Sequence, residues 1–307
     1  MHKIIKNIVK RIYFYSQPRS YSVEYQVKIT NLQSTDNKFY IILPLPLNTD
    51  YQSVTSQIIH NPKSLTIKSD SLYHNKYAIW QFRLVAQASQ TLCEKFKITV
   101  KPRKNIFANN FSLADYPKNL NWLSPNRFLN SNDPRIQQLA KKIAGSEKNI
   151  FAIIKKLNAY VISNVKYANP ITGLYSAKDA LQKKEVDCGG FNALLASFCI
   201  SLGIPSRIVS GFWAGYPSNK MHAWVEMQLP DGQWLPADPS IENLGSKKSG
   251  QLGWLGSDRI AFSIGCDIPV EVNNRIIYLD ILQNPIIISE SSSESLDIKV
   301  NFITTNE

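Results

Sequence analysis

Three residues of this chain stand in settings suited to covalent catalysis. Cys188 lies in Val186-Asp187-Cys188-Gly189-Gly190-Phe191, His222 in Met221-His222-Ala223-Trp224, and Asp238 in Leu235-Pro236-Ala237-Asp238-Pro239. A thiol attacks a carbonyl when an imidazole takes its proton, and the same imidazole can later protonate the leaving group. A carboxylate behind the ring holds it in one tautomer. These residue types in this order point to acyl transfer through a thioester. Each glycine after Cys188 costs a helix about 1 kcal/mol relative to Ala. Close approach of another backbone, such as a substrate chain, is a reason to keep them. A cysteine in the first turn of a helix also feels the positive end of the macrodipole, which favours thiolate. Backbone N–H groups there are open to an oxyanion.

Those residues need elements to position them. Leu194, Leu195, Phe198 and Ile200 predict a helix over 188–203, with Pro205 beyond its end. Strands are expected over 207–212, 223–229 and 233–237, and Asp231-Gly232 between the last two is a hairpin signal. In such a hairpin His222 opens one strand and Asp238 closes the next, so the two meet at its open end. Ala223, Val225 and Met227 then face the core. Further strands are expected over 259–264, 275–281 and 286–288. Upstream, Asp133-Pro134 starts a helix that Gly145 ends, a second runs over 148–163, and a third begins near Ser176.

The first third of the chain has a different period. Val23, Tyr25, Val27 and Ile29 alternate with polar residues, and Leu92, Phe96, Ile98 and Val100 do so again, with Pro44, Pro46 and Asn61-Pro62 between them. Short strands separated by turn signals predict a β-sandwich. The boundaries read as a basic amphipathic segment over 1–20, an all-β sandwich domain over 21–104, a connector over 105–130 that packs across the second domain, a catalytic domain over 131–288 and a tail or strand over 289–307. Helices followed by strands, rather than alternating with them, make the second domain α+β.

Cys188 opening a helix, then Gly203-Ile204-Pro205-Ser206-Arg207, His222-Ala223-Trp224-Val225-Glu226 and Trp234-Leu235-Pro236-Ala237-Asp238-Pro239, resemble the core of the transglutaminase-like superfamily over about residues 135–270. The resemblance implies a papain-like core in which a Cys-bearing helix packs on an antiparallel sheet carrying the His and the Asp. Cys188 would be nucleophile, His222 base and Asp238 the orienting acid. It also implies a second oxyanion donor upstream, for which Tyr175 is the candidate, and a β-rich domain ahead of the core. Ile264-Gly265-Cys266-Asp267 resembles a Gly-Arg-Asp element of bacterial members, with Cys266 where Arg is expected. That change bears on a salt bridge behind the site.

Three functions stay open at this point. The first is a cysteine peptidase or amidase working through an acyl-enzyme. The second is a protein-glutamine transamidase, which differs only in the acceptor of the acyl group. The third is a binding or scaffold protein with a silent core. The expected partner is a protein or peptide substrate. The formal net charge of +12 favours an acidic one, although the basic residues are scattered and form no nucleic-acid motif.

Cys93, Cys199 and Cys266 read as core residues, and no C-x-x-C pair is present. Cys188, His222 and Asp238 lack a local ligand pair, so no metal or other cofactor is expected. Trp224 and Trp234 read as core residues beside the site, and Arg207 as the ion-paired start of a strand. Four thiols without a disulfide pattern, no apolar run of membrane-spanning length and no signal-peptide pattern give a cytoplasmic expectation. Ile4, Ile5, Ile8, Val9 and Ile12 at helical spacing leave peripheral membrane contact through residues 1–16 open.

Overall fold

In the computed structural model the alternation at the start of the chain becomes β1 (Arg19–Asn31), its inward residues Tyr21, Val23, Tyr25, Val27 and Ile29 fully buried. Residues 15–60, 66–104, 110–118, 120–171, 173–245, 250–289 and 296–307 are described. The expected amphipathic segment up to residue 14, the Lys247-Lys248 pair and the Ser/Glu-rich stretch over 290–295 lie outside them.

After β1 come β2 (Asn37–Pro44), β3 (Gln52–His60), β4 (Thr66–Ser69), β5 (Lys76–Leu84), β6 (Ser89–Val100) and the short β7 (Arg103–Lys104). The helices α1 (Pro134–Ala144) and α2 (Ile150–Asn164) follow, then β8 (Lys166–Tyr167), α3 (Ala177–Lys183), β9 (Glu185–Val186) and α4 (Cys188–Ser201). Asp133, Asn149, Ser176 and Asp187 cap the four helices through their side chains, as residues with short polar side chains do at helix starts. The chain continues through β10 (Ser206–Trp213), β11 (Met221–Gln228), β12 (Trp234–Ala237), α5 (Pro239–Asn243), β13 (Trp254–Leu255) and β14 (Arg259–Ile264). It ends with β15 (Ile268–Val272), β16 (Arg275–Leu279), β17 (Ile286–Ser289) and β18 (Leu296–Asn306).

Three four-stranded antiparallel sheets organise the molecule. Two form the sandwich, in the orders β18-β1-β6-β3 and β17-β2-β5-β4, and the third, β12-β11-β10-β14, carries the site. The fold is α+β, with the all-β layers first. The domain boundaries expected from the sequence need one correction. Residues 286–288 do not belong to the catalytic unit, because β17 pairs with β2 of the sandwich. The stretch beyond 295 is a full edge strand, with Tyr21 opposite Asn306 and Asn31 opposite Leu296. Inward Leu296 and Phe302 complete the sandwich core, which the period of the N-terminal third alone could not reveal.

Helix α4 is apolar all round, so it must be covered on all sides. Gly189 through Ile200 are buried between α1, α2 and α3 and the sheet strands β10 and β11. The opposite face of the same sheet is buried too. Phe212, Ile260 and Phe262 pack into the sandwich core with Tyr25, Phe96 and Phe302. The connector does cross the second unit, donating the Tyr116 hydroxyl to the Gln228 carbonyl and accepting Ser206 N–H at the Trp122 carbonyl (3.2 Å).

Candidate active site

The hairpin β11–β12 forms as its turn signal requires, with Gly232 at φ +84° and register Val225 to Ala237. His222, at the start of β11, and Asp238, one residue past β12, therefore share the open end. His222 Nε2 lies 2.5 Å from Asp238 Oδ2. Asp238 is also the N-cap of α5: its Oδ1 accepts Ile241 N–H (3.3 Å) and the Ser240 hydroxyl (2.8 Å). One side chain thus both caps α5 and meets the His222 ring. Burial opposes its charge, yet His222 and Arg259 outweigh that penalty and hold the carboxyl down at about 2.

Cys188 is half-buried at the first position of α4. It lines a cleft of about 360 Å³ together with His222, Ala223, Gly189, Asp187, Tyr167, Leu174, Met221 and the 278–286 segment. The Ala223 and Gly189 N–H groups favour thiolate at its sulfur. Burial, followed by the Asp187 carboxylate, nevertheless pushes the thiol up to about 12. The helix end by itself therefore does not ionise Cys188. Its N-cap is a carboxylate, which cancels the positive end of the dipole and takes the Gly190 N–H (3.4 Å). A proton acceptor is needed, and His222 sits across the same cleft.

Two further expectations change. The glycines after Cys188 are crowded by the chain's own residues. A Cβ at Gly189 would lie 2.6 Å from Leu174 Cδ1, and one at Gly190 2.5 Å from Val186 Cγ2. Gly189 still forms part of the cleft wall, but the crowding rather than a passing substrate backbone forbids a larger residue at 190. Tyr175, the expected oxyanion donor, is not among the cleft residues; its hydroxyl donates to the Asn169 carbonyl (3.0 Å). Two tyrosines line the cleft, Tyr278 and, eight positions upstream of Tyr175, Tyr167, which is the one near Cys188. Burial, then the nearby Cys188, raises its hydroxyl to about 12, so it remains a hydrogen-bond donor. The two-residue strand β8 that places it gave no periodic signal in the sequence.

Behind the site, Asp267 is bound by Arg127 of the connector (3.1 Å), while Cys266 packs fully buried beside Asn126. Asp267, which follows Cys266 rather than an Arg, thus takes its cation from the connector. Arg207 does anchor its strand: its Nε donates to Glu226 Oε2 (2.9 Å) and its guanidinium lies 3.6 Å from the centre of the Trp234 ring. Trp224 is buried beneath the sheet.

Comparison with known proteins agrees with this geometry. Residues 137–239 match the transglutaminase-like superfamily model. The matched stretch resembles a transglutaminase-like core, and it contains Cys188, His222 and Asp238. A stretch of 127 residues is 24% identical to the uncharacterized protein YebA of Bacillus subtilis (strain 168), covering 34% of this chain and only 17% of that protein. A crystal structure from Cytophaga hutchinsonii, provisionally called a cysteine protease, is 16% identical and covers 94% of this chain and 91% of that one at a TM-score of 0.63. The shared fold therefore includes the sandwich as well as the core. The periplasmic domain of TgpA from Pseudomonas aeruginosa is 14% identical, with a TM-score of 0.35 over 73% of this chain and 88% of that one.

Proposed function

We propose that this protein is a cysteine-dependent acyl-transfer enzyme, foremost a peptidase or amidase, with Cys188 as nucleophile, His222 as base and Asp238 as orienting acid. The observation that carries the reading is the His222–Asp238 contact at the mouth of a cleft that Cys188 also lines. Nε2 of His222 is engaged with Asp238, which assigns Nδ1 to the thiol. In the first step Cys188 Sγ bonds to the carbonyl carbon of the substrate as its proton passes to His222. The carbonyl oxygen becomes an oxyanion, for which the backbone at the start of α4 and the Tyr167 hydroxyl are the donors. The C–N bond then breaks, the amine leaves with the proton from His222, and a thioester remains. Water, deprotonated by His222, releases the acid and restores the thiol.

The cleft walls bear on what enters. Among the described residues the carboxylates Asp187 and Asp280 line them, and no lysine or arginine does. Asp280 is held by Arg127 (3.0 Å), and Asp187 by the Ile171 N–H (3.1 Å). An acidic substrate, favoured by the overall +12, meets the wrong sign at the point of reaction. A neutral or cationic peptide suits the walls better. The same carboxylates favour a protonated amine approaching the thioester, which supports transamidation as the second reading.

The test uses a library of fluorogenic peptides with Lys, Gln or Glu beside the scissile bond, run with and without a primary amine. Wild-type enzyme is expected to turn over the Lys and Gln series, and Cys188→Ala none of them. Incorporated amine in place of free acid would assign transamidation. Equal turnover by Cys188→Ala would remove the thiol mechanism.

A further inference from the structure

Asp238 is gripped from two sides. Its Oδ2 meets His222 and also accepts Arg259 Nη2 at 2.8 Å. The other arm of the same guanidinium donates to Asp258 Oδ1 at 2.8 Å, and Asp258 Oδ2 accepts the Tyr216 hydroxyl at 2.6 Å. The guanidinium carbon lies 4.2 Å from the centre of the Trp213 ring, and that ring stacks on the His222 imidazole at 4.3 Å and 24°. His222, Asp238, Asp258 and Arg259 are all nearly or completely buried.

Register explains why these groups meet. Trp213 is the cross-strand partner of Arg259, and β10 also carries Gly211 opposite His222, so Trp213 sits diagonally from the imidazole. Gly250 closes the arrangement. Its carbonyl accepts Asp238 N–H (2.9 Å), and at φ +148° a Cβ there would lie 2.8 Å from Arg259 Nη2 and 3.0 Å from Asp238 Cβ.

We propose that Arg259 is a positioning residue of the site: it clamps Asp238 from behind and, through the Trp213 indole, keeps the His222 ring in its working plane, with Asp258 as its counter-carboxylate. The proposal rests on the reading of Cys188, His222 and Asp238 as the reacting set. Arginine suits the task because one planar fork can bond two carboxylates while its face lies on an indole, which a lysine ammonium cannot do. The sign of the field follows from the charges around His222. Asp238 meets the ring directly; Cys188, Asp187 and Tyr167 line the cleft with it; Arg259 reaches Asp238 from behind, with Asp258 and Tyr216 behind it in turn; and Glu242 of α5 acts on Asp238. Among these described residues, Arg259 is the fixed cation. Removing it makes every proton of the thiol–imidazole pair harder to remove, and removing Asp258 makes each easier.

The experiment follows the rate of Cys188 alkylation by iodoacetamide against pH, with the labelled site mapped by mass spectrometry. Wild type is compared with Arg259→Met, Arg259→Lys, Asp258→Asn and, as control, His222→Gln, each checked for folding by thermal melting. The profile of Arg259→Met is expected to move to higher pH by about one unit, the usual size for a neighbouring charge, and that of Asp258→Asn to lower pH. Arg259→Lys is expected to return the profile toward wild type while reacting more slowly than it. A merely structural role would slow the reaction without moving the two profiles in opposite directions. Profiles of both charge-removing variants that coincide with wild type would overturn the proposal, and if Arg259→Met does not fold, Asp258→Asn decides alone. A wild-type profile that His222→Gln leaves unchanged would instead show that the thiol does not work with His222, and the site reading would fall together with the proposal.

Discussion

Every hydrogen-bonding position of the Asp238 carboxylate is in use, by His222, Arg259, Ser240 and the Ile241 N–H. An amide at that position cannot serve four donors, because its nitrogen must be turned toward at least one of them. Asp238→Asn is therefore expected to cut acyl transfer by about 10²- to 10⁴-fold, as loss of the correct imidazole tautomer does in such triads. Kinetics at a temperature well below the variant's melting point check this, and a near-wild-type rate would contradict it. His222 and Arg259 hold the carboxyl well below the usual carboxylate range against the opposing cost of burial, so it keeps its charge in mild acid. The three candidate residues were legible in the sequence because each sits at an element boundary with its own local signal. Arg259, Trp213 and Asp258 were not, since nothing local marks a residue whose role comes from cross-strand register. Tyr167 escaped for a related reason: its place on the cleft comes from a two-residue strand pairing with β9.

Strand β11 is held in place by a buried ion cluster as well as by its ladder. Glu226 is fully buried and takes Arg207 at 2.8 Å, Arg103 from β7, the Tyr51 hydroxyl at 3.3 Å and the Trp224 indole N–H at 3.3 Å. Tyr51 and Arg103 come from the sandwich side, so this carboxylate ties the two units at the strand that carries His222. Burial opposes its ionisation, but the two arginines hold it down at about 2. Its folded value lies below the unfolded one, so its contribution is present above about pH 4.5 and is lost as pH falls toward 2. Glu226→Ala strips the cluster of its anion and strands two guanidinium groups. It is expected to cost about 3–5 kcal/mol at neutral pH. Denaturant melts should show that deficit shrinking in acid, and a pH-independent or negligible loss would refute the assignment. The helix and hairpin elements were readable because period, caps and the Asp-Gly turn agree with one another. Strand β15 and helix α5 were missed: Ile268–Val272 is too short for a clear period, and Asp238-Pro239 reads as a turn as readily as a helix start.

At the scale of the molecule, the chain leaves the sandwich, builds the catalytic unit and comes back. β17 and β18 add one strand to each sandwich sheet after the active-site cleft has been lined by the 278–286 segment. Tyr25 of the sandwich donates to the Gln283 carbonyl (3.1 Å), and the Gln283 side chain donates to the His222 carbonyl (3.0 Å). The β-rich part therefore supports the cleft wall through Gln283. Such long-range pairing leaves no local trace, which is why the sequence left tail and strand open where an edge strand stands. The net charge sums a whole surface, whereas the cleft is lined by the two carboxylates Asp187 and Asp280. The central claim, that Cys188 carries an acyl group through His222, is tested most directly by trapping the intermediate. Wild-type protein is mixed briefly with p-nitrophenyl acetate, quenched in acid, and peptide-mapped by mass spectrometry. The acetyl group is expected on Cys188, to be missing in Cys188→Ala and to build up far more slowly in His222→Gln. Acetyl spread over lysines with Cys188 unmodified, or labelling of Cys188 at the same rate without His222, would contradict the account.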